Sequence, residues 1–89
     1  MSDDEDLWPV EPSQAVAEAL ADPTLPVDQF AKIVALTVAI AQNPWLAGSR
    51  PAEQGEPWRT VPIPDGGGIV EYVINEADHK VILTRIVPF

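Results

Sequence analysis

A β-hairpin signal near the end of the sequence constrains the fold more than any other feature. Two β-rich runs, residues 69–74 and 81–87, flank a short polar loop, a pattern typical of antiparallel strands. Residues 58–63 can form a further strand, in which Pro62 indicates an irregular or edge position. The glycine triplet at 66–68 predicts a chain reversal between residues 58–63 and residues 69–74. We therefore predict a C-terminal antiparallel sheet of about three strands.

Two helical patterns precede this sheet. Ser13 is a suitable N-cap for a first helix over residues 13–21. A second and stronger pattern runs from Leu25-Pro26 to Asn43-Pro44, where the second proline biases the helix to end. Residues 7–10 predict a short edge strand or an anchoring arm. The apolar face of the second helix is predicted to consist of Phe30, Ile33, Val34, Leu36, Thr37, Ile40 and Ala41.

The expected fold class is α+β, with an N-terminal short strand or arm, two helices and then the sheet. The length of 89 residues suits one small domain, which we expect to cover residues 1–89. The absence of cysteine excludes disulfides and thiolate metal sites. No secretory pattern opens the sequence, and the longest apolar stretch, residues 33–41, is far shorter than the roughly 20 residues of a membrane span. We expect a cytoplasmic protein that does not associate with membranes.

The net charge of −9 is distributed unevenly. Residues 1–28 contain eight acidic residues and no basic one, whereas residues 29–89 contain six acidic and five basic residues. The body is therefore nearly neutral. We expect residues 1–6 to be a disordered acidic leader, which serves either as a solubility tail or as a segment that docks onto a basic surface.

The sequence contains no recognisable catalytic constellation. The glycine triplet lacks the lysine and the following helix of a phosphate-binding loop, and the sole histidine, His79, is interpreted as a turn residue in preference to a general base. We assign no catalytic residue, no metal ligand and no cofactor. Both faces of the hairpin are apolar, so one of them is expected to contact another chain, a loop or the N-terminal arm. The residues predicted to bind a partner are Ile69, Val73, Ile82 and Ile86.

The order of these elements resembles the RelE/ParE superfamily of bacterial toxins from type II toxin–antitoxin systems. The resemblance is carried by residues 8–13 before the first helix, the helix end at 41–48, the turn and strand at 67–74 and the closing strand at 80–87. It implies a fold of one strand, two helices and a three- to four-stranded antiparallel sheet. It also implies ribosome-dependent cleavage of messenger RNA by basic, tyrosine or histidine residues of the sheet and tail. The residues of this sequence that it assigns to RNA binding are Arg59, Tyr72 and Arg85.

The sequence departs from the family pattern in three places, each of which weakens the expectation of nuclease activity. Ile69 or Val70 replaces the arginine that commonly follows the glycine turn, no basic tail follows, and the charge is acidic. The leading hypothesis is a RelE/ParE-like toxin-family protein, weakly catalytic or inert, that binds an antitoxin or another protein partner. The alternatives are a stand-alone interaction or dimerisation domain with no toxin role, and a ribosome-dependent mRNA endonuclease. Whether the protein is an enzyme stays open at this point, as do a homodimer and binding to nucleic acid or the ribosome.

Overall fold

The computed structural model describes residues 7–88, and the predicted acidic leader at 1–6 lies outside them. The described chain forms a strand, two helices and then four strands, so the predicted α+β class and element order are confirmed. A 3₁₀ turn at Pro64–Gly66 joins the third and fourth strands. The elements are β1 (Val10–Pro12), α1 (Gln14–Ala21), α2 (Val27–Gln42), β2 (Arg50–Pro51), β3 (Trp58–Ile63), β4 (Gly68–Asn75) and β5 (Lys80–Pro88).

The strands of residues 7–88 form one mixed five-stranded sheet in the order β1-β5-β4-β3-β2. The prediction of about three antiparallel strands is wrong, because short strands are added at both edges. β1 pairs in parallel with β5, with Val10 opposite Val81, and β2 pairs antiparallel with β3. Each edge strand contains a proline, Pro12 or Pro51. Segments of two or three residues are too short to show an alternation of apolar and polar side chains, and the partner of β1 lies far along the chain.

Both helices contribute to a core on the same face of the sheet, which we call the inner face. Val16 of α1 and Ile33 and Ile40 of α2 are buried there. The strand residues of this core are Val61, Ile63, Val70, Tyr72, Ile74, Val81 and Leu83. Because alternate residues of a strand point to opposite faces, the residues between them lie on the other, outer face of the sheet.

The sheet covers only part of the apolar surface of α2. Ile33 and Ile40 are buried as predicted, but Phe30 and Val34, which were predicted on the same face, are each 43% exposed. At 100° per residue these two side chains project about 60° and 100° away from Ile33, beyond the edge of the contact with the sheet. Within residues 7–88 no helix is long and apolar enough to cross a membrane.

A β-bulge in β5 changes the alternation of the last strand. Tyr72 pairs with Leu83 and Glu71 pairs with Arg85, so Thr84 is the extra residue. The carbonyl of Thr84 accepts a hydrogen bond from the hydroxyl of Ser13 at 3.0 Å, and the same hydroxyl oxygen caps α1 by accepting from the amide of Val16 at 3.2 Å. The N-cap of the first helix is thereby fixed to the bulge of the last strand.

We expect Gly68→Ala to lower the free energy of unfolding by more than about 3 kcal/mol. Gly68 has a φ of 133° and is buried, and an added Cβ would overlap the carbonyl of Val87 on the neighbouring strand. Gly66→Ala is the control, because Gly66 also has a positive φ of 73° but has no neighbouring atom within 4 Å of an added Cβ. The control should cost only about 1–2 kcal/mol. Urea unfolding of the two variants measures the difference, and equal losses would contradict the packing argument.

Candidate protein-binding face

The centre of the outer face of the sheet carries three rows of side chains that run across the strands. Neither helix covers this face, since both pack on the inner side. Directly opposed residues of paired strands lie on the same face, and this defines each row from the strand register. The three rows are Trp58, Val73, Ile82 and Glu11; Arg50, Thr60, Glu71 and Arg85; and Pro62, Ile69 and Val87. Asn75 and Lys80 form a further row at one end, where Lys80 pairs with Glu11 at 3.7 Å.

The bulge at Thr84 determines which residues of β5 belong to this face. Before the bulge, Ile82 faces outward and Leu83 faces the core. After the bulge, Arg85 and Val87 face outward, opposite Glu71 and Ile69, while Ile86 turns inward. Without the extra residue, Ile86 would lie on the outer face instead. The bulge therefore places the guanidinium group of Arg85 beside Glu71, between the row that contains Val73 and the row that contains Ile69.

The polar row is centred on the buried carboxylate of Glu71, which is 9% exposed. Its Oε1 accepts a hydrogen bond from the hydroxyl of Thr84 at 3.1 Å, and its Oε2 lies 3.5 Å from Nη2 of Arg85. The side chain of Arg85 is 64% exposed, so the arginine covers the carboxylate and still presents donors to solvent. A partner that meets this row can add hydrogen bonds to the pair, and the negative charge of Glu71 is already neutralised.

A groove of about 520 Å³ lies over one side of the outer face. Its floor includes Thr60, Ile69, Glu71, Arg85 and Val87. The loop after β2 forms its wall with Ala52, Glu53 and Gln54. The groove therefore combines two apolar side chains, Ile69 and Val87, with the polar groups of Thr60, Glu71 and Arg85, and such a mixture can bind a partner.

The three residues assigned to RNA binding by resemblance are not brought together. Arg59 and Tyr72 pair across β3 and β4 on the inner face, whereas Arg85 lies on the outer face. Arg59 is only 9% exposed. Its Nε and Nη2 donate to the hydroxyl of Ser49 at 3.2 and 2.9 Å, and its Nη1 pairs with the carboxylate of Glu56. The donors of Arg59 are therefore engaged within the protein.

Tyr72 is fully buried and belongs to the same internal network. Its hydroxyl donates to the carbonyl of Pro44 at 2.6 Å, which attaches the segment after α2 to the sheet. Burial raises the pKa of Tyr72 above its ordinary value of 10.0, although hydrogen bonding to Ser49 and Arg59 acts in the opposite direction. This network fixes the chain between α2 and β3 and leaves the tyrosine out of reach of a bound polymer.

Three of the four residues predicted to bind a partner share the outer face. Ile69, Val73 and Ile82 lie there and are half-buried among their cross-strand neighbours. Ile86 lies on the inner side, where it lines a second groove of about 460 Å³ between the end of α1 and the start of α2. The bulge is the physical reason for the separation. Alternation of apolar residues along β5 could not indicate that Ile86 faces inward. For the same reason Val87, which faces outward, was not among the residues predicted to bind a partner.

His79 lies in the turn between β4 and β5 and has a φ of 52°. Its ring stacks on Trp8 at a centroid distance of 4.0 Å, and Trp8 contacts Trp45 edge to face at 5.5 Å. The interpretation of His79 as a turn residue agrees with this position, but the aromatic contact was not predicted. It attaches the segment before β1 to the turn.

Comparison of the chain with protein-family models, curated proteins and solved structures finds no match. The residues at 7–88 also include no group of three or more histidine, aspartate or glutamate side chains arranged to hold a metal ion. The function is therefore inferred from the outer face and from the internal network around Arg59 and Tyr72.

We expect Tyr72 to ionise at a higher pH in the native protein than in the unfolded chain. Because its folded pKa is raised, its contribution to stability is complete below the unfolded pKa of about 10 and is lost as pH rises through the folded value. Tyr72 is the sole tyrosine in the sequence, so the ultraviolet absorbance of tyrosinate reports it without overlap. Titration with and without urea gives the two midpoints, and coincident midpoints would contradict the assignment.

We expect Tyr72→Phe to lower the free energy of unfolding by about 1–2 kcal/mol at neutral pH, because the buried carbonyl of Pro44 loses its donor. The variant should also lose part of the destabilisation of the native protein above pH 10. Urea unfolding at neutral and alkaline pH measures both effects. A variant as stable as the native protein at neutral pH would show that the hydroxyl contributes no net stabilisation.

Proposed function

We propose that this is a RelE/ParE-like protein that acts by binding a protein partner across the outer face of its sheet, without cleaving RNA. The observation that carries the proposal is the uncovered outer face, where two apolar rows flank the Glu71 and Arg85 pair. Support for the family assignment comes from the order of one strand, two helices and a following group of strands, which agrees with the order implied by the resemblance.

The dimensions of the outer face suit a protein partner. Four spacings of about 4.8 Å across the five strands and the eight residues of β4 bound an area of at most roughly 20 by 26 Å, because β1 and β2 contain only three and two residues. This is smaller than the approximately 800 Å² that each partner contributes to a standard interface, and it lies in the range of small, transient protein contacts. The composition also agrees, since apolar and aromatic residues such as Trp58 surround a central arginine.

The charges favour a protein over RNA as the ligand of this face. Arg85 is adjacent to the carboxylate of Glu71, and the guanidinium of Arg59 is held by Glu56 and Ser49. A polyanion binds where several unpaired cations line its path, and its affinity falls steeply with salt. A protein partner needs only shape complementarity and one or two matched polar groups.

A partner of the antitoxin type is expected to place apolar side chains against Val73 and Ile82. For this test, the chain is co-expressed with the product of the neighbouring gene and the complex is purified. Val73→Lys and Ile82→Lys should each weaken the complex by about 30-fold or more, since a charge would be placed in the apolar row. Isothermal titration with the purified components measures the dissociation constants.

The matched control for this experiment is Ala17→Lys, which adds the same charge at an exposed position of α1. The control should leave the affinity unchanged, and circular dichroism of all variants verifies that they are folded. Equal loss in the control and in the outer-face variants would overturn the assignment of this surface. Failure of the neighbouring product to bind at all would favour the stand-alone interaction domain.

We expect growth and protein synthesis to stay normal when the wild-type chain is induced alone in bacterial cells under tight control. Soluble expression is confirmed by immunoblot, and Arg85→Ala is induced in parallel, because its exposed side chain can be removed without opening the core. Arrest by the wild-type chain that is lost in Arg85→Ala would contradict the proposal and indicate an RNA-directed or ribosome-directed toxin.

A further inference from the structure

Helix α2 exposes a continuous apolar stripe on the side away from the sheet. The stripe consists of Val27, Phe30, Val34 and Val38, which are 82%, 43%, 43% and 52% exposed. At 100° per residue these side chains fall within an arc of about 80°. The two charged side chains of α2, Asp28 and Lys32, project at least about 80° away from this arc. A surface of this kind on a helix is typical of a contact with another helix.

The pattern of the stripe is symmetric about Val34. Phe30 and Val38 stand four residues before and after it, and Val27 and Ala41 stand seven residues before and after it. If a second α2 is laid antiparallel on the first, Val34 meets Val34 and Phe30 meets Val38. In a two-fold interface the same residues contact the partner from both sides. A stripe whose apolar positions coincide with themselves when the helix direction is reversed meets this requirement.

We propose that two copies of this chain associate through antiparallel packing of their α2 stripes. The proposal is independent of the outer sheet face, which stays open to the protein partner. Antiparallel packing separates the N-terminal ends of the two helices, where Asp28 lies, and it opposes no like charges along the stripe. Pairing through the sheet edges is disfavoured by Pro12 in β1 and Pro51 in β2.

The size and charge of the contact determine the strength of the dimer. The 16 residues of α2 give a contact about 24 Å long, and Trp45, which is 40% exposed, lies just beyond its end. A contact of this length and of the roughly 10 Å width of one helix covers much less than the roughly 800 Å² per partner of a stable interface. We therefore expect a weak dimer with a dissociation constant of about 10–100 µM. Each copy carries a net charge of −9. Added salt should therefore strengthen the dimer, because it screens the mutual repulsion.

Sedimentation equilibrium of the full chain at increasing concentrations tests the association. We expect a shift from monomer to dimer across the range from about 1 to about 500 µM, with the midpoint moving to lower concentration in added salt. Val34→Glu should weaken the dimer at least tenfold, because it opposes two carboxylates at the two-fold axis. Ala17→Glu, which adds the same charge at an exposed position of α1, should behave as the wild type apart from a small change in net charge. A monomer throughout this range would overturn the proposal.

Cysteine trapping tests the geometry, because the native sequence contains no cysteine. Val34→Cys should form an intermolecular disulfide rapidly under mild oxidation. Val27→Cys should not, since antiparallel packing separates the two copies of residue 27 by about 21 Å, well beyond disulfide range. Ala17→Cys gives the background rate. Trapping at residue 27, or a rate at residue 34 equal to the background, would overturn the antiparallel arrangement. Neither result depends on the outer-face variants, so this proposal and the proposed function can fail separately.

Discussion

The β-bulge at Thr84 is the local constraint on which the arrangement of both faces of the sheet depends. It is held from two sides. The hydroxyl of Ser13 donates to the backbone carbonyl of Thr84, and the hydroxyl of Thr84 reaches the carbonyl and carboxylate of Glu71. The extra residue then directs Ile86 to the core and Arg85 to the outer face. A single hydroxyl, that of Ser13, therefore links the start of α1 to the alternation of the last strand.

The two sides of the sheet use polar groups in different ways. On the inner side, Arg59 and Tyr72 are satisfied by Ser49, Glu56 and the carbonyl of Pro44, so their polar atoms fix the connection between α2 and β3. On the outer side, polar side chains lie between apolar rows that no helix covers. Groups whose hydrogen bonds are complete within a fold stabilise it, whereas partly exposed groups among apolar neighbours are suited to recognition. This contrast is the physical basis for assigning binding to the outer side.

Much of the fold could be predicted from local patterns. The N-cap at Ser13, the strand at 58–63 and the hairpin after Gly68 are signals contained within a few neighbouring residues, and each corresponds to an element of the structure. The short edge strand or arm predicted at residues 7–10 corresponds to β1, which lies at Val10–Pro12 and pairs with a strand far along the chain. The edge strand β2 could not be predicted, because its two residues carry no periodicity. The three-stranded expectation failed for this reason.

The candidate site was predicted in part. Alternation along β4 placed Ile69 and Val73 on the correct common face, because nothing interrupts that strand. Alternation in β5 failed for Ile86, since the bulge at Thr84 depends on tertiary hydrogen bonds that the sequence of residues 81–87 does not indicate. The resemblance assigned Arg59 and Tyr72 to a sheet surface that binds RNA, and their burial depends on the segment that carries Ser49 and Glu56, which strand patterns do not indicate.

The position of β5 between β1 and β4 has a consequence for how the chain folds during synthesis. β5 is an interior strand of the sheet and the last of its five strands to leave the ribosome, and β1 and the cap of α1 both bind to it. Until β5 emerges, the apolar faces of α1 and β1 have no complete surface on which to pack, so the nascent chain must remain largely open. The fold is therefore expected to form in one late step, once β5 has emerged, and a chaperone that shields apolar segments would act on the chain before that step.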